Sequence, residues 1–147
     1  MSNTLYERDF YAWANEQAAL LRAGRLSEAD IDHIAEEIES MVKTEKRELI
    51  SRLEVLLMHL LKWQFQPERR GKSWTNTIRV QRNRLNSHLA DNPSLNPQIP
   101  ASMQAAYVNA RIEAAEETAL DETAFPDACV WLFEQVMDSD FWPNPGN

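Results

Sequence analysis

Apolar residues recur every three to four positions through one long stretch of the chain, from Ile31 to Phe65. That spacing is typical of one face of an α-helix, and neither Gly nor Pro interrupts it. The positions that stay on one side are Ile31, Ile38, Val42, Leu49, Leu53, Leu56 and Leu60. From Leu49 onward, apolar residues cover most of the circumference, which predicts a helix surrounded by others. The pattern predicts a long central helix over residues 28–66 and leaves open a kink near Thr44.

Shorter helical stretches lie before and after this one, separated by breaks. Gly24 ends the first stretch, and Pro residues mark the later breaks because Pro disfavours helical geometry in the residue before it. Ser73 and Asp127 are expected to cap the helices that follow them. The expected helices span residues 5–23, 28–66, 73–91, 99–120 and 127–138. No strand alternation is present, so the sequence predicts an all-α fold, a single-domain helical bundle (1–147) of five or six helices around the long central helix.

The composition narrows the class of protein further. A chain of 147 residues suits one domain with a real core. The only cysteine, Cys129, cannot form an internal disulfide and offers no zinc-site spacing. The first residues lack the apolar run of a signal peptide, and no segment reaches the roughly 18 apolar residues of a membrane span. We therefore expect a cytoplasmic protein with no membrane contact and no cofactor.

Charge is distributed unevenly along the chain. The net charge of −8 argues against general affinity for nucleic acid. Residues 69–84, called the basic segment below, nevertheless hold six basic side chains and no acid. These side chains are Arg69, Arg70, Lys72, Arg79, Arg82 and Arg84. Such a segment can hold phosphate through guanidinium groups and free backbone N–H groups, and Trp74 could stack on a base.

The basic segment also has two other interpretations. It can pack its basic side on acidic neighbours within the chain, or it can bind an acidic protein partner. Trp74 shares an apolar face with Ile78 and Leu85, which favours a core position over a binding role. Arg82 lies at the edge of that face, so we expect it to be partly buried and paired with a carboxylate such as Glu37 or Glu117.

A polar edge on the long helix is the second candidate site. Glu45, Glu48, Arg52 and His59 cluster on a helical wheel, with Glu37 beside them. Carboxylates and imidazole on one face can bind a metal or move protons. Metal sites in helical bundles, however, use Glu-x-x-His on two helices, and the only near match is Asp30-x-x-His33. The alternative is an ion-paired edge, with Glu48 bound to Arg52.

No residue set in the chain has the spacing of a catalytic site. The acids Glu113, Glu116 and Glu117 are typical of a solvated helix face. Cys129 lies in an apolar segment, and no Gly-rich turn presents a serine or a phosphate-binding loop. The sequence therefore predicts no catalytic, cofactor-binding or metal-binding residue.

Several distinctive motifs are distributed over nearly the whole chain: Tyr6-x-x-Asp9-Phe10-x-x-Trp13, Glu36-Glu37-Ile38-Glu39-Ser40-Met41, Leu56-Leu57-Met58-His59-Leu60-Leu61-Lys62-Trp63, Gln66-Pro67-Glu68-Arg69-Arg70, Ser73-Trp74-x-x-Thr77-Ile78, Asn92-Pro93-Ser94-Leu95, Glu117-Thr118 and Phe141-Trp142-Pro143. Together these motifs resemble a known bacterial family, domain of unknown function 29. The resemblance implies a small helical bacterial protein. It implies no established activity and supplies no catalytic residue.

Three functional hypotheses follow, in this order. The first is a non-catalytic helical module that binds a protein partner or regulates one. The second is binding of nucleic acid or another polyanion through the basic segment. The third is a metal-dependent activity that uses Glu37 and His59. The sequence leaves the oligomeric state open.

Overall fold

The computed structural model describes residues 4–145, and within that range the chain forms α-helices and no β-strand. The helices are α1 (Leu5–Arg8), α2 (Phe10–Arg22), α3 (Ile31–Phe65), α4 (Lys72–Asp91), α5 (Ile99–Thr118) and α6 (Phe133–Met137). The predictions of an all-α fold and a long helix are therefore confirmed. None of the described helices has the length and apolar character needed to cross a bilayer.

Two compact units are distinguished within the chain. The first ends at Glu45 and the second begins at Lys46. The single domain expected from the sequence stays a prediction.

In the first unit, the helix expected over residues 5–23 is divided at Asp9. Asp9 leaves helical geometry, with φ −150° and ψ 84°. Its side chain then caps α2 by accepting a hydrogen bond from the Ala12 N–H at 3.1 Å. A carboxylate in this position satisfies a backbone donor that has no partner within the helix. The α2 helix ends before Gly24, whose φ of +73° is readily available only to glycine.

The long helix α3 runs without interruption through Thr44, which answers the question of a kink left open by the sequence. Thr44 donates its hydroxyl to the carbonyl of Ser40 at 3.0 Å, so the polar side chain is satisfied along the helix itself.

The core of the second unit surrounds the later part of α3. Its fully or nearly fully buried leucines are Leu49, Leu53, Leu56, Leu57, Leu60 and Leu61. The α4 helix contributes Ile78 and Leu85 to the same cluster. The α5 helix contributes a row of small residues, Ala106, Ala110 and Ala114, each with no exposed surface. Small side chains let two helices approach closely.

Several helix ends differ from the prediction. Gly71, in extended geometry, precedes α4, so Ser73 lies inside the helix and does not cap it. The last helix, α6, begins at Phe133, and Asp127 does not cap it. The chain before α6 instead packs irregularly, with Phe125 and Trp131 buried in the core. Tyr107 on α5 donates its hydroxyl to the Pro126 carbonyl at 2.6 Å, which holds this segment against the helix.

Candidate interaction surface

An exposed apolar stripe runs along the first part of α3. Its members are Ile31, Ile38, Met41 and Val42, which are 51%, 56%, 65% and 66% exposed. These residues recur at helical spacing and therefore lie on one side of α3. They continue the periodicity of the buried leucines, but the described residues of the chain leave them open to solvent. Four large exposed apolar side chains on one side of a helix form the kind of patch that marks an interaction site.

A polar and aromatic cluster fixes the helices of the first unit beside this stripe. The Trp13 indole N–H donates to Asp30 Oδ2 at 3.1 Å, and His33 Nδ1 lies 2.7 Å from the same oxygen. Tyr6 stacks on the His33 ring at 3.9 Å and donates its hydroxyl to Glu37. Trp13 is buried, whereas its neighbour Phe10 remains 50% exposed.

The electrostatics of this cluster favour charged Asp30 and charged His33. The hydrogen bond with His33 holds the pKa of Asp30 below its usual value. The same hydrogen bond raises the pKa of His33. The hydrogen bond to Glu37 raises the pKa of Tyr6 to about 12, so the phenol stays a donor. The near match to a metal motif, Asp30-x-x-His33, is therefore occupied by an internal ion pair.

In the second unit, two arginines of the basic segment bind backbone carbonyls. Arg70 donates to the Trp63 carbonyl at 2.7 Å and to the Pro143 carbonyl at 3.2 Å. Its guanidinium also lies 5.0 Å from the centre of the Trp63 ring. Arg70 therefore ties the end of α3 to the C-terminal segment and is not free for a ligand.

Arg82 is buried more deeply than expected and has different partners. It is 4% exposed and donates to the carbonyls of Val136 and Phe141, both at 2.8 Å. The expected pairing with Glu117 was wrong, because Glu117 binds Lys62 and carbonyl oxygens of the C-terminal segment take the place of a carboxylate. The pairing with Glu37, in the first unit, stays a prediction. Burial lowers the pKa of Arg82, and its guanidinium lies 5.2 Å from the Trp142 ring centre.

The remaining cations of the basic segment face solvent. Arg69, Lys72, Arg79 and Arg84 are exposed and form no ion pair among residues 4–145. Trp74 is half-buried, and Lys62 Nζ lies 4.7 Å from its ring centre. The amine of Lys62 also binds Glu117 at 3.1 Å. The face of Trp74 is thus occupied by a cation of the chain, which leaves less room for a stacked base.

The residues of the polar edge of α3 bind several different partners. Arg52 binds Glu48 at 3.2 Å, as the ion-pair interpretation expected. His59 Nδ1 lies 2.9 Å from the Val55 carbonyl, and burial lowers the pKa of His59. Glu37 accepts from Tyr6 in the first unit. The metal hypothesis built on Glu37 and His59 stays a prediction.

His88 on α4 belongs to the polar edge, although sequence reasoning missed it. It is 7% exposed, and its Nδ1 lies 2.6 Å from Glu48 Oε2. Arg52, Arg84 and Asp91 help to line the shallow polar pocket beside this pair, which has a volume of about 300 Å³. The available signal was the position of His88 next to Leu89 and one turn after Leu85, on the border of the buried face of α4.

Two carboxyl groups meet between α3 and α5. The hydrogen bond between Glu54 and Glu113 raises the pKa of Glu113 to about 7. Asn109 donates to the other side of the pair, at Glu54 Oε2, over 3.4 Å. The hydrogen bond and the acidic neighbour favour the protonated form of Glu113, so its carboxyl group is partly protonated near neutral pH. Glu113, which was expected on a solvated acidic face, therefore contacts the carboxyl group of Glu54 on α3.

The family model described as Domain of unknown function DUF29 matches residues 5–142, which is nearly the whole chain. The chain belongs to the DUF29 family. No curated protein and no solved structure matched the chain. The DUF29 match confirms the resemblance inferred from the motifs.

Many residues that carry the resemblance to DUF29 have structural roles in this chain. Tyr6 and Trp13 form the cluster of the first unit. The rings of Trp63 and Trp142 pack with their centres 4.7 Å apart, and Arg70 contacts Trp63. These motif residues hold helices and the C-terminal segment in place. Each of these contacts lies within one unit.

An apolar cavity of about 670 Å³ in the second unit is an alternative to the stripe. It lies between the start of α5 and the segment before α6 and is lined mainly by Ile99, Met103, Trp131 and Phe133. Cys129 borders it, but burial raises the pKa of this thiol, which makes the reactive thiolate scarcer. Nothing in the cavity indicates a particular ligand.

Proposed function

We propose that the protein is a non-catalytic helical module that binds a protein partner through the apolar stripe of α3. The observation that carries the proposal is the exposure of Ile31, Ile38, Met41 and Val42, each more than half accessible. Burying such side chains contributes roughly 25 cal/mol per Å² of apolar surface. A helix that presents them on one side suits a partner helix or groove.

The acidic charge and the composition suit this role. The proposed setting is the bacterial cytoplasm, where a chain with one cysteine needs no disulfide for stability. Charged residues flank the stripe, and a polar rim around an apolar centre is the usual anatomy of a protein interface.

A matched pair of valines provides the test. Val42 in the stripe and Val108 on α5 are 66% and 61% exposed. Tagged wild-type protein, Val42→Asp and Val108→Asp would be used to capture partners from the native host, with and without nuclease. We expect a defined protein that survives nuclease, is retained by Val108→Asp and is lost with Val42→Asp. Equal capture by both variants would contradict a role for the stripe.

A second candidate is polyanion binding through the exposed part of the basic segment. It is supported by Arg69, Lys72 and Arg79, which face solvent without ion pairs among the described residues. Arg70 and Arg82 donate to backbone carbonyls and are not available to a polyanion, which weakens this candidate. Phosphate contacts of this kind produce affinity that falls steeply with salt. Binding of a labelled oligonucleotide to wild type and Arg69→Glu over a salt series would test it; no binding at low salt would exclude it.

A further inference from the structure

The apolar stripe has a charge pattern along its edge that selects a particular partner. Among residues 31–47, the exposed charged side chains are first acidic, at Asp32, Glu36 and Glu39, and then basic, at Lys43, Lys46 and Arg47. The acidic and basic stretches follow each other on the same helix, α3. A partner with the opposite order of charges would therefore complement it.

We infer that the stripe pairs with the same stripe of a second copy of this chain, with the two α3 helices antiparallel. This inference rests on the proposed function and names the partner. An antiparallel copy presents its basic stretch to the acidic stretch of the first, and the reverse. A parallel copy would align acid with acid. The interface is self-complementary, as expected for a two-fold dimer.

Residue spacing gives the approximate alignment. Asp32, Glu39 and Lys46 are seven residues apart, nearly two helical turns, so they follow one edge of the stripe. If the helices cross near Ile38, Asp32 of one copy lies close to Lys46 of the other. The stripe residues Ile38 and Val42 meet their counterparts between these charges. Asp32, Glu39 and Lys46 are all exposed and form no ion pair among residues 4–145.

Glu39 is the unfavourable position in this arrangement. It lies near the crossing point and approaches Glu39 of the second copy, and like charges at close range oppose association. Lys43 follows it at i,i+4 on the same helix and offsets part of the repulsion. The arrangement therefore predicts that Glu39→Gln strengthens the dimer.

The first measurement is sedimentation of the full chain from about 1 µM to 1 mM, because short interfaces of this kind bind weakly. We expect self-association that Val42→Asp weakens at least about tenfold and Val108→Asp leaves unchanged. Helical circular dichroism of each variant confirms that it is folded. A chain that stays monomeric throughout overturns the second copy as partner. Self-association that survives Val42→Asp overturns it as well.

Orientation is tested with charge variants and cross-linking. In the antiparallel pair, Lys46→Gln weakens association about two- to fivefold, whereas in a parallel pair it would remove repulsion and strengthen association. A mixture of ¹⁴N and ¹⁵N chains treated with a carbodiimide should give mixed-isotope links between Asp32 and Lys46 or Lys43. Stripe-dependent dimers without these links, and with stronger association of Lys46→Gln, would overturn the antiparallel arrangement.

The two levels of the proposal fail in different ways. A monomeric chain whose host partner is still lost with Val42→Asp overturns the second copy and supports the proposed function. A monomeric chain whose captures are insensitive to Val42→Asp overturns both.

Discussion

The early and late parts of α3 have the same apolar periodicity and opposite surroundings. Ile38 and Val42 in the early part are more than half exposed, whereas Leu53, Leu56 and Leu60 in the late part have no exposed surface. Periodicity shows that one face of a helix is suited to burial. It does not show whether the partner that buries this face comes from the same chain.

The clearest difference between the two parts is the composition of the other faces. The late part carries Leu57, Met58 and Leu61 away from the main row, and these are buried too. The early part carries charges there, including Glu36, Glu39 and Lys43, all exposed. A helix that is apolar around most of its circumference is enclosed, while one with a single apolar row can remain at a surface.

The largest expected effect is on the free energy of unfolding, which a substitution in the late part of α3 should lower far more than one in the early part. Leu56→Ala should destabilise the protein by about 3 kcal/mol, because it leaves a cavity in a fully buried site. Ile38→Ala removes a similar side chain from an exposed site and should change stability by less than about 0.5 kcal/mol. Urea unfolding at low protein concentration, followed by helical circular dichroism, measures both. Comparable losses from the two variants would mean that Ile38 is buried in solution.

A second prediction concerns Arg82, the buried arginine that binds the C-terminal segment. Arg82→Met keeps much of the side-chain volume but leaves the carbonyls of Val136 and Phe141 without their donor. Hydrogen bonds to charged groups are worth about 1.5–3 kcal/mol each, and removal of a buried charge offsets part of their loss. We therefore expect the free energy of unfolding to fall by about 2–3 kcal/mol.

Arg79→Met is the matched control for Arg82, since Arg79 is exposed on the same helix without an ion pair among the described residues. It should unfold at nearly the same urea concentration as wild type. If the two variants were equally stable, the carbonyl contacts of Arg82 would contribute little.

These contrasts also show how far the sequence alone could go. The helix positions and the enclosed stretch after Leu49 followed from spacing and composition, because both depend on local geometry. The partners of Arg70 and Arg82 did not, because backbone carbonyls of a distant segment leave no signature in side-chain chemistry. The Glu54–Glu113 pair depends on the register between two helices, which periodicity does not specify.

A third prediction concerns Glu113 and the dependence of stability on pH. The hydrogen bond with Glu54 raises the pKa of Glu113 to about 7, so the folded state favours the protonated form. The resulting stability is present below the ordinary glutamate pKa and is lost as pH rises through about 7. Glu113→Gln should therefore remove part of the loss of stability between about pH 5 and 8, an interval that contains this transition.

The control for Glu113 is Glu116→Gln, an exposed acid on the same helix. Urea midpoints at several pH values measure all three proteins. If the urea midpoint of Glu113→Gln depended on pH as strongly as that of wild type, the titrating group would be another residue.

The smallest expected effect concerns the early part, where His33 and Asp30 anchor the helices of the first unit. The pKa of His33 is raised by Asp30, so its contribution is present below the unfolded value and is lost as pH rises through the folded one. The pKa of Asp30 is lowered by His33, so its contribution is lost as pH falls. Packing of α2 should therefore be firmest between about pH 4 and 6.5.

Hydrogen exchange of the α2 amides, corrected for the intrinsic pH dependence of exchange, reports this packing directly. Wild-type protection should decrease above about pH 6.5, and His33→Gln should abolish that decrease because it has no titrating ring. The late part of α3 should keep its protection in this variant, since it belongs to the second unit. Loss of protection in both parts together would show that the pair stabilises more than the first unit.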